Sequence, residues 1–474
     1  EMLGDAAFAE KEGSSSIYVF SGSVNIYDNY AVLINSVVIN DLASGKEYVY
    51  RVGNGEYWSE LRSFKTVYKN SDVDILLLGD IQTSDFDGLR EKFRKISLGG
   101  KNYDFAIQLG DLVDNADYFN QWKMILDVIS DSFIGDLDLV HVLGNHEYQG
   151  DPTGDYAKAI FNIPKDKNYY SAVYGSVYVA VINHGITSKE LAEAKNWIVE
   201  DANKAKAKWR ILVIHQPPYY TNPQSQNDII TREIPQLAEL AGIDFVFAAN
   251  DHAYARTYPV LNGVRDNNGV VYYVSGALGE KSYPAVNNPA FNFATVVDDY
   301  EDVYLSIEAR ETTFKITALS TNGTVIDEYI KTKANDHEHD YFAAEEGRLV
   351  CGICQYNRPV SNYTGFAKTP DYKVMYLVNG EPYKGLLVLG NDVYFFDETT
   401  GYAYTGEMEV YGLQAVFDEK GKLISGGTGF VTVDGNTMYY QKLTAYKKGW
   451  IEIDGATYYF SKTTGYMRTG VTKI

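Results

Sequence analysis

Five short apolar segments of the chain each end at a residue that can bind a metal ion. The segments are VDILLLGD, YDFAIQLGD, DLVHVLGNHE, WRILVIHQPP and IDFVFAANDH, and the residues at their ends are Asp80, Asp111, Asn145 with His146, His215 and His252. Continuous apolar runs of this length predict buried strands, and helical patterns lie between several of them. The sequence therefore predicts a layered α/β domain. Ligands bind at the carboxyl ends of strands in such sheets, so we expect these side chains to converge.

The converging side chains form a donor set for two divalent cations. One aspartate can bridge two metal ions, and imidazoles with an amide oxygen can complete the coordination spheres. Such a centre neutralises phosphoryl oxygens, which would let a chain with a formal net charge of −21 hold an anionic substrate. Each residue alone has an ordinary explanation, such as a helix cap or a turn. Their shared setting favours the metal centre.

The acidic charge argues against two classes of partner. Nucleic acids and anionic membrane surfaces attract basic patches, so neither is expected to bind this chain. The sequence also contains no run of about eighteen apolar residues, and it therefore predicts no transmembrane segment.

Taken in order, GDIQ, GDLVDN, GNHE, VIHQPP and NDHAYAR resemble the motifs of the calcineurin-like metallophosphoesterases, above all the purple acid phosphatase branch and its bacterial relatives. The resemblance implies a four-layer α/β/β/α sandwich over residues 71–332 and two divalent metal ions, whether Mn, Fe, Zn, Mg or Ca. It also implies hydrolysis of phosphate mono- or diesters by a metal-bound hydroxide. The roles it implies are the first metal for Asp80 and His252, the bridge for Asp111, the second metal for Asn145 and His215, and the phosphate for His146. His146 and Asp111 would be the catalytic residues.

Three positions depart from the family pattern. Gln82 and Asn250 stand where the wider family has histidines, and Asp114 stands where the purple branch has its chromophoric tyrosine. An iron–tyrosinate centre is therefore not expected. The amide oxygen of Gln82 can still bind a metal ion, though more weakly than a histidine. The amide oxygen of Asn250 can also bind one, and it suits a hard cation such as Mg²⁺, Mn²⁺ or Ca²⁺ better than Zn²⁺. The second metal site is expected to be weak.

Two functions remain open at this point. The chain is an active phosphoesterase with a loosely held second metal, or it is a weak or inactive phosphatase-like scaffold that binds cell wall or glycan. His184, Tyr254 and Arg256 are candidate substrate contacts, and a surface ion pair is an equal explanation for Arg256.

The segments outside the α/β domain have different patterns. Residues 1–68 read as a short β-sandwich piece, and LASGKEYVYRVGNGEYWSELRSFKT resembles the end of a fibronectin-III-like domain whose first strands are missing or shortened. Residues 333–346 are polar and read as a linker. The chain begins at Glu1, which we interpret as removal of a leader peptide from a secreted protein.

Residues 347–474 contain an internal repeat. Glycines recur at intervals of 20 to 23 residues, at Gly365, Gly385, Gly406, Gly429, Gly449 and Gly470. An aromatic residue lies eleven positions after each of the first five, at Tyr376, Phe396, Phe417, Tyr440 and Phe460. A period of this size predicts a solenoid, here of β-hairpins, because one unit is too small to bury a core.

The last repeat carries the fullest aromatic pattern. KGWIEIDGATYYFSKTTGYMRTG resembles the choline-binding or glucan-binding wall repeats of Gram-positive surface proteins. Trp450, Tyr458 and Tyr459 are candidate ligand aromatics, because aromatic faces hold choline by cation–π contact or stack on sugars. The implied partner is wall polysaccharide or choline-bearing teichoic acid, and the implied location is the Gram-positive surface. A purely structural spacer is the alternative.

The sequence has two cysteines, Cys351 and Cys354, in the motif CGIC. A redox role would need a βαβ setting, and a zinc site made from cysteines would need a second pair. The sequence therefore favours two buried or locally bridged cysteines. His337 and His339 could bind a metal, but their polar surroundings favour a solvated linker.

Overall fold

The computed structural model describes residues 11–20, 30–297, 302–335, 337–446 and 449–469. The chain divides into two compact units, Glu1–Asn335 and Asp336–Ile474.

The strands of the first unit alternate with helices through much of its length. Its described strands are β1 (Ser14–Phe20), β2 (Tyr30–Ser36), β3 (Glu47–Tyr50), β4 (Arg62–Lys65), β5 (Val73–Leu78), β6 (Phe105–Gln108), β7 (Asp138–His141), β8 (Tyr169–Tyr174), β9 (Val177–Ile182), β10 (Trp209–Ile214), β11 (Phe245–Ala248), β12 (Tyr254–Thr257), β13 (Val260–Leu261), β14 (Val264–Arg265), β15 (Val271–Ser275), β16 (Phe293–Val297), β17 (Val303–Ala309), β18 (Thr313–Ser320) and β19 (Val325–Thr332). The α-helices are α1 (Phe86–Leu98), α2 (Phe119–Ser130), α3 (Asp155–Ile160), α4 (Ser188–Ala205) and α5 (Asp228–Leu240).

Two large sheets form the centre of this unit. One has the order β16-β12-β15-β11-β10-β9-β8 and the other β19-β18-β17-β5-β6-β7. A buried core that includes Ile75, Phe105, Phe247 and Phe314 lies between them. Helices α1 and α2 bury apolar side chains against the outer face of the second sheet, and α4 and α5 do so against the first. The predicted four-layer α/β/β/α sandwich is confirmed.

Polar residues after the strands start several of the helices. Asp85 accepts a hydrogen bond from the backbone N–H of Gly88 and caps α1. Thr187 and Glu190 form a reciprocal capping box at the start of α4. These caps satisfy backbone donors that a helix leaves unpaired at its first turn. They fix where each helix leaves the sheet edge that carries the metal-capable residues.

The amino-terminal segment is simpler than the predicted sandwich piece. Strands β1 and β2 form one antiparallel pair, and β3 and β4 form another. The side chains of Ile17 and Leu33 are 72% and 55% exposed, so these described strands do not enclose a core. Residues 1–10 and 21–29 lie outside the described part of the chain. The fibronectin-III-like character of this segment stays a prediction.

The second unit is built from short strands. Those described are β20 (Tyr341–Ala344), β21 (Arg348–Cys351), β22 (Asn357–Pro359), β23 (Gly365–Lys368), β24 (Val374–Val378), β25 (Glu381–Pro382), β26 (Gly385–Leu389), β27 (Asp392–Phe396), β28 (Gly406–Val410), β29 (Leu413–Phe417), β30 (Leu423–Gly426), β31 (Gly429–Val433), β32 (Asn436–Gln441), β33 (Thr444–Ala445), β34 (Gly449–Ile453) and β35 (Ala456–Phe460).

The sequence repeat corresponds to a succession of hairpins. In four of them the repeat glycine pairs with the aromatic residue eleven positions later: Gly385 with Phe396, Gly406 with Phe417, Gly429 with Tyr440 and Gly449 with Phe460. The first hairpin differs, because Gly365 pairs with Leu377 and Phe366 with Tyr376. Gly470 lies outside the described residues. Stacking of these hairpins into a solenoid stays a prediction.

The segment predicted as a linker, 333–346, is folded at both ends. The Lys333 ammonium lies 2.6 Å from the Asp244 carboxylate in the first unit. Strand β20 pairs with β21 and β23 in a six-stranded sheet of the second unit. Polar composition predicts a solvated segment, but in strand β20 Tyr341 is buried in the small core of that sheet and Ala343 is half-buried against it. Among the described helices of the whole chain, none is both long and apolar enough to cross a membrane.

Candidate metal centre

The five predicted strand ends meet at one edge of the first unit. Strands β5, β6 and β7 belong to one sheet and β10 and β11 to the other, so the centre lies where the carboxyl ends of both sheets come together. Ligand atoms of Asp80, Asp111 and His215 all lie within 4.8 Å of one another, and all three residues are buried. The fold therefore places the ends of these strands in one crevice.

Asp111 is the most connected carboxylate of this cluster. Its Oδ2 atom lies 3.3 Å from Nε2 of His215 and 3.8 Å from Nε2 of His146. Its Oδ1 atom accepts a hydrogen bond from the backbone N–H of His146 at 3.0 Å. One oxygen is thus fixed by the backbone, and the other faces two imidazoles.

One carboxylate oxygen of Asp80 has no hydrogen-bond donor in the described part of the chain. Its Oδ2 atom accepts from the backbone N–H of Asn250 at 2.9 Å. Its Oδ1 atom is buried and has no hydrogen-bond partner among the described residues. That atom lies 3.6 Å from Nε2 of His252 and 3.9 Å from Nε2 of His215. A buried carboxylate oxygen without a donor is costly, and a cation held between these three side chains would satisfy it.

The histidines are held by their outer ring nitrogens. Nδ1 of His215 lies 2.7 Å from the carbonyl oxygen of Leu109, and Nδ1 of His252 lies 2.9 Å from that of Lys281. A carbonyl partner fixes the proton on Nδ1 and leaves Nε2 as the ligand, the usual arrangement around protein metal sites. The Oδ1 atom of Asn145 lies 3.0 Å from Nε2 of His215, so the amide oxygen points to the same space.

The charges of the cluster shift one another. Burial alone would lower the pKa of His215, but the carboxylates of Asp111 and Asp80 raise it to about 10. Burial raises the pKa of Asp80 to about 6 against the opposing effect of the two nearby histidines. Burial acts on Asp111 in the same sense, yet His215 and His146 hold the pKa of Asp111 below its ordinary value. Shifts of this kind are concentrated at functional sites.

The backbone around the cluster is strained and closely packed. Asp111, Asn250 and His252 have φ angles of 57°, 65° and 55°, a left-handed region that non-glycine residues adopt rarely. A Cβ atom on Gly144 would lie 2.2 Å from Oδ1 of Asp111, so only glycine fits beside that carboxylate.

Gln82 does not point its amide oxygen at the cluster. With its amide group oriented to satisfy both neighbours, it donates to the carbonyl of Asp111 at 2.8 Å and accepts from Nζ of Lys281 at 3.1 Å. Lys281 also pairs with the Asp114 carboxylate at 2.8 Å. In this orientation both polar groups of the Gln82 amide have a protein partner, and metal binding by Gln82 stays a prediction.

Asn250 serves the centre through its backbone. Its N–H orients Asp80, as described above, whereas its side-chain NH₂ donates to Oγ of Ser225 at 2.7 Å and to Oδ1 of Asp251 at 3.3 Å. Ligation by the amide oxygen stays a prediction.

Two predicted substrate contacts lie elsewhere. The Tyr254 hydroxyl donates to Asp327 at 2.8 Å, and the Arg256 guanidinium makes two hydrogen bonds to the same carboxylate at 2.6 and 3.1 Å. Tyr254 belongs to the core between the two sheets. The structure thus contradicts a phosphate-contacting role for both residues, because strand alternation turns their side chains into the sandwich.

His184 lies beside the cluster. Its ring centroid is 6.2 Å from that of His215, and it lines a cavity of about 120 Å³ together with Gln216. Burial lowers its pKa to about 4, so the ring is neutral over most of the pH range. A substrate contact by His184 stays a prediction.

Sequence reasoning missed Glu147, which is fully buried. Its carboxylate accepts from the backbone N–H groups of Asp111, Leu112 and Gly144 at 2.9, 2.8 and 2.7 Å. It therefore ties together the loops after β6 and β7. The available signal was the last letter of the GNHE motif, to which no role had been given.

Sequence reasoning also missed Asp251, which lies inside the NDHAYAR motif and to which no role was given. This residue holds a different loop. Its carboxylate accepts from the backbone N–H groups of Thr221 and Asn222 and from the Ser225 hydroxyl. The loop after β10 is thereby attached to the end of β11.

The aromatic residues of the last repeat divide between two faces. Trp450 is 59% exposed and packs edge-on against Tyr459, its cross-strand partner, with ring centroids 5.0 Å apart. Tyr458 points to the opposite face and packs on Phe430 at 5.0 Å. A single cage made by Trp450, Tyr458 and Tyr459 is therefore excluded, and ligand binding by the Trp450–Tyr459 pair stays a prediction.

Comparison with known proteins identifies similar proteins for the first unit. Residues 73–254 match the family model for calcineurin-like phosphoesterases. The first unit contains a calcineurin-like phosphoesterase domain. Acid phosphatase type 7 of Mus musculus is 25% identical over 314 aligned positions, and the alignment covers 56% of this chain and 69% of that protein. The human protein of the same name is 23% identical over 52% of this chain and 64% of its own length.

Plant purple acid phosphatases are also similar to the phosphoesterase domain. Purple acid phosphatase 18 of Arabidopsis thaliana is 29% identical over 118 residues, 24% of this chain and 27% of that protein. The structure of a purple acid phosphatase from yellow lupin (Lupinus luteus) seeds aligns with a TM-score of 0.58 at 17% identity, over 69% of this chain and 68% of that one. The fold is shared at this level of identity.

Proposed function

We propose that the chain is a metal-dependent phosphoesterase that hydrolyses phosphate mono- or diesters. The observation that carries this proposal is the buried Oδ1 atom of Asp80, which has no donor among the described residues and faces Nε2 of both His252 and His215. Asp80 and His252 would hold one divalent cation, His215 and Asn145 a second, and Asp111 would bridge the two. When bound, such ions supply Lewis acidity, which neutralises phosphate charge and acidifies water.

The protein's own groups would orient the reaction. The Asp111 carboxylate is fixed by the N–H of His146 and, through the backbone, by Glu147. Nδ1 of His146 lies 2.7 Å from the carbonyl of Asp114, which aims Nε2 at the crevice. The His146 side chain is 20% exposed, so it can reach a substrate. We assign it the role of holding a proton at Nε2 for the leaving alcohol or stabilising phosphate charge.

The names of the relatives bear on the substrate, and the sequence of the second unit bears on the cellular setting. The relatives are acid phosphatases by name, and they support a phosphate ester in general. Secretion and attachment to a Gram-positive cell wall follow from sequence resemblance in the second unit, and they remain proposals.

Turnover of an aryl phosphate monoester and a diester by the full chain tests the proposal. Protein treated with chelator should be inactive and should recover with Mn²⁺, Mg²⁺ or Zn²⁺. Asp111→Asn should lower kcat/KM by about a thousandfold or more, because it removes the bridge between the metals. Asp87→Asn is the control, since that carboxylate is fully exposed on α1. If no metal restores turnover of either ester, or Asp111→Asn matches the control, the scaffold alternative is favoured.

A further inference from the structure

Four side chains that can bind a metal meet in the second unit, which is not part of the phosphoesterase domain. They are His337 and His339, just before β20, and Cys351 and Cys354, at the end of β21 and in the turn after it. The antiparallel register pairs Tyr341 with Cys351, so the residues that precede β20 lie next to those that follow β21. The sequence separates the two pairs by eleven residues, which is why they seemed unrelated.

The donor atoms converge at distances that suit one ion. Nε2 of His337 lies 3.4 Å from Sγ of Cys351, and Nδ1 of His339 lies 3.6 Å from Sγ of Cys354. Donor atoms from all four residues lie within 4.8 Å of one another. Tetrahedral zinc with bonds of about 2.3 Å to sulfur and 2.0 Å to nitrogen places neighbouring donors roughly 3.5 Å apart. Two separate imidazole–thiol hydrogen bonds would explain two of these distances but not the convergence of all four residues.

The surrounding chain holds the donors in place. The backbone N–H of Ile353 lies 3.4 Å from Sγ of Cys351, a contact that stabilises a thiolate. The N–H of Gln355 closes the turn on the carbonyl of Cys351 at 2.9 Å. The His339 ring stacks on Tyr341 with centroids 5.0 Å apart and an interplanar angle of 22°. Cys351 is buried and Cys354 is exposed, so the cluster lies partly at the protein surface.

We propose that His337, His339, Cys351 and Cys354 form a structural zinc site at the beginning of the second unit. Two imidazoles and two thiolates are a complete tetrahedral set, with no open position for a substrate. Thiolate ligands also select zinc over Mg²⁺ or Ca²⁺. The site links the segment before β20 to the turn after β21. The core beneath this sheet is small and includes Leu349 and Met375, and small cores commonly need such a crosslink.

Cobalt substitution in the full chain tests this site separately from the phosphoesterase centre. Cys351 and Cys354 are the two cysteines of the whole sequence, so thiolate-to-cobalt charge-transfer absorption can arise only from them. Metal-free, reduced protein titrated with Co²⁺ should develop this absorption, and Zn²⁺ should abolish it. Asp111→Asn should keep the band, because the phosphoesterase centre contains no sulfur ligand.

Variants of the exposed ligand give the second measurement. Cys354→Ser should lower the charge-transfer absorption by at least half, because one of the two thiolates is gone, and should lose one zinc per chain by elemental analysis. His339→Gln keeps both thiolates but should lose the same zinc, because three donors hold the ion more weakly than four. Aryl phosphate turnover of Cys354→Ser should stay within about twofold of the unmodified chain, because the zinc site is not part of the reaction. A titration without the band, an unchanged zinc content in Cys354→Ser, or a Cys351–Cys354 disulfide in freshly purified protein would each overturn the proposal.

Discussion

Nε2 of His215 lies 3.3 Å from Oδ2 of Asp111, and neither side chain is open to solvent. The carboxylates around this ring raise the pKa of His215 to about 10 despite its burial. Without a metal ion, the protein therefore carries a proton on Nε2 in the place where a cation would bind. Metal ion and proton compete for one buried position.

This competition predicts pH-dependent metal uptake. Because the folded pKa of His215 is raised, the proton's contribution to stability is complete below about pH 6.5 and is lost as the pH rises through about 10. Between pH 7 and 8.5 the ring is still protonated in the metal-free protein, so each bound ion must displace a proton. The apparent affinity for Mn²⁺ should rise about tenfold per pH unit.

Calorimetry of Mn²⁺ binding in buffers of different ionisation enthalpy measures the displaced proton. About one proton should be released per ion at the His215 position. His215→Gln should bind more weakly and release fewer protons. An affinity that stays constant from pH 7 to 8.5 would contradict a protonated His215.

Glu147 should be needed for both stability and rate. In Glu147→Gln, an NH₂ group replaces one of two oxygens that together accept three backbone N–H groups. The NH₂ group of the glutamine would then face a backbone N–H group in a buried place. This contact between two donors should lower the free energy of unfolding by about 1–3 kcal/mol. The loops that carry Asp111 and Gly144 would also shift, so kcat should fall more than tenfold.

Glu190→Gln is the matched control for this substitution. Glu190 also accepts a backbone N–H, that of Thr187, but it does so in the capping box of α4. Glu190→Gln should lower the free energy of unfolding measured by urea denaturation and leave kcat unchanged. Equal effects of the two variants on kcat would contradict a role of Glu147 in positioning Asp111.

The sequence predicted the layers and the strand-end residues because both follow from local patterns. Apolar runs mark buried strands, and the parallel arrangement brings their carboxyl ends together. The orientation of the Tyr254 and Arg256 side chains could not be predicted from such local patterns. It depends on Asp327 of strand β19, which is far away in the sequence and belongs to the other sheet. The histidine–cysteine cluster was also hidden, since it depends on the pairing register of β20 and β21.

Arg256 should act through stability and not through substrate binding. Its guanidinium and the Asp327 carboxylate are 11% and 13% exposed. Asp327→Asn would leave a largely buried charge poorly paired, which should lower the free energy of unfolding by about 3 kcal/mol. KM for an aryl phosphate should stay within about twofold, and Arg256→Lys should behave in the same way. A large rise in KM with unchanged stability would restore Arg256 as a phosphate contact.

Asn250→His tests how much the amide weakens the centre. The backbone N–H of residue 250 that orients Asp80 is kept in this variant, whereas the two side-chain hydrogen bonds to Ser225 and Asp251 are lost. Imidazole binds transition metals more strongly than an amide oxygen does. We therefore expect Asn250→His to reach half its maximal activity at a Mn²⁺ concentration about tenfold lower than the unmodified chain does. At saturating Mn²⁺ its activity should exceed that of the unmodified chain by a smaller factor.

Two further variants separate the effect of a new ligand from that of the lost hydrogen bonds. Asn250→Ala removes the amide without adding a ligand, and Ser225→Ala removes one partner of the amide without changing residue 250. If the amide is a weak ligand, Asn250→Ala should need more Mn²⁺ than the unmodified chain and Asn250→His less. If Asn250→His loses activity to the same extent as Asn250→Ala, the side chain at 250 works by holding the Ser225 loop, and no ligand is missing there.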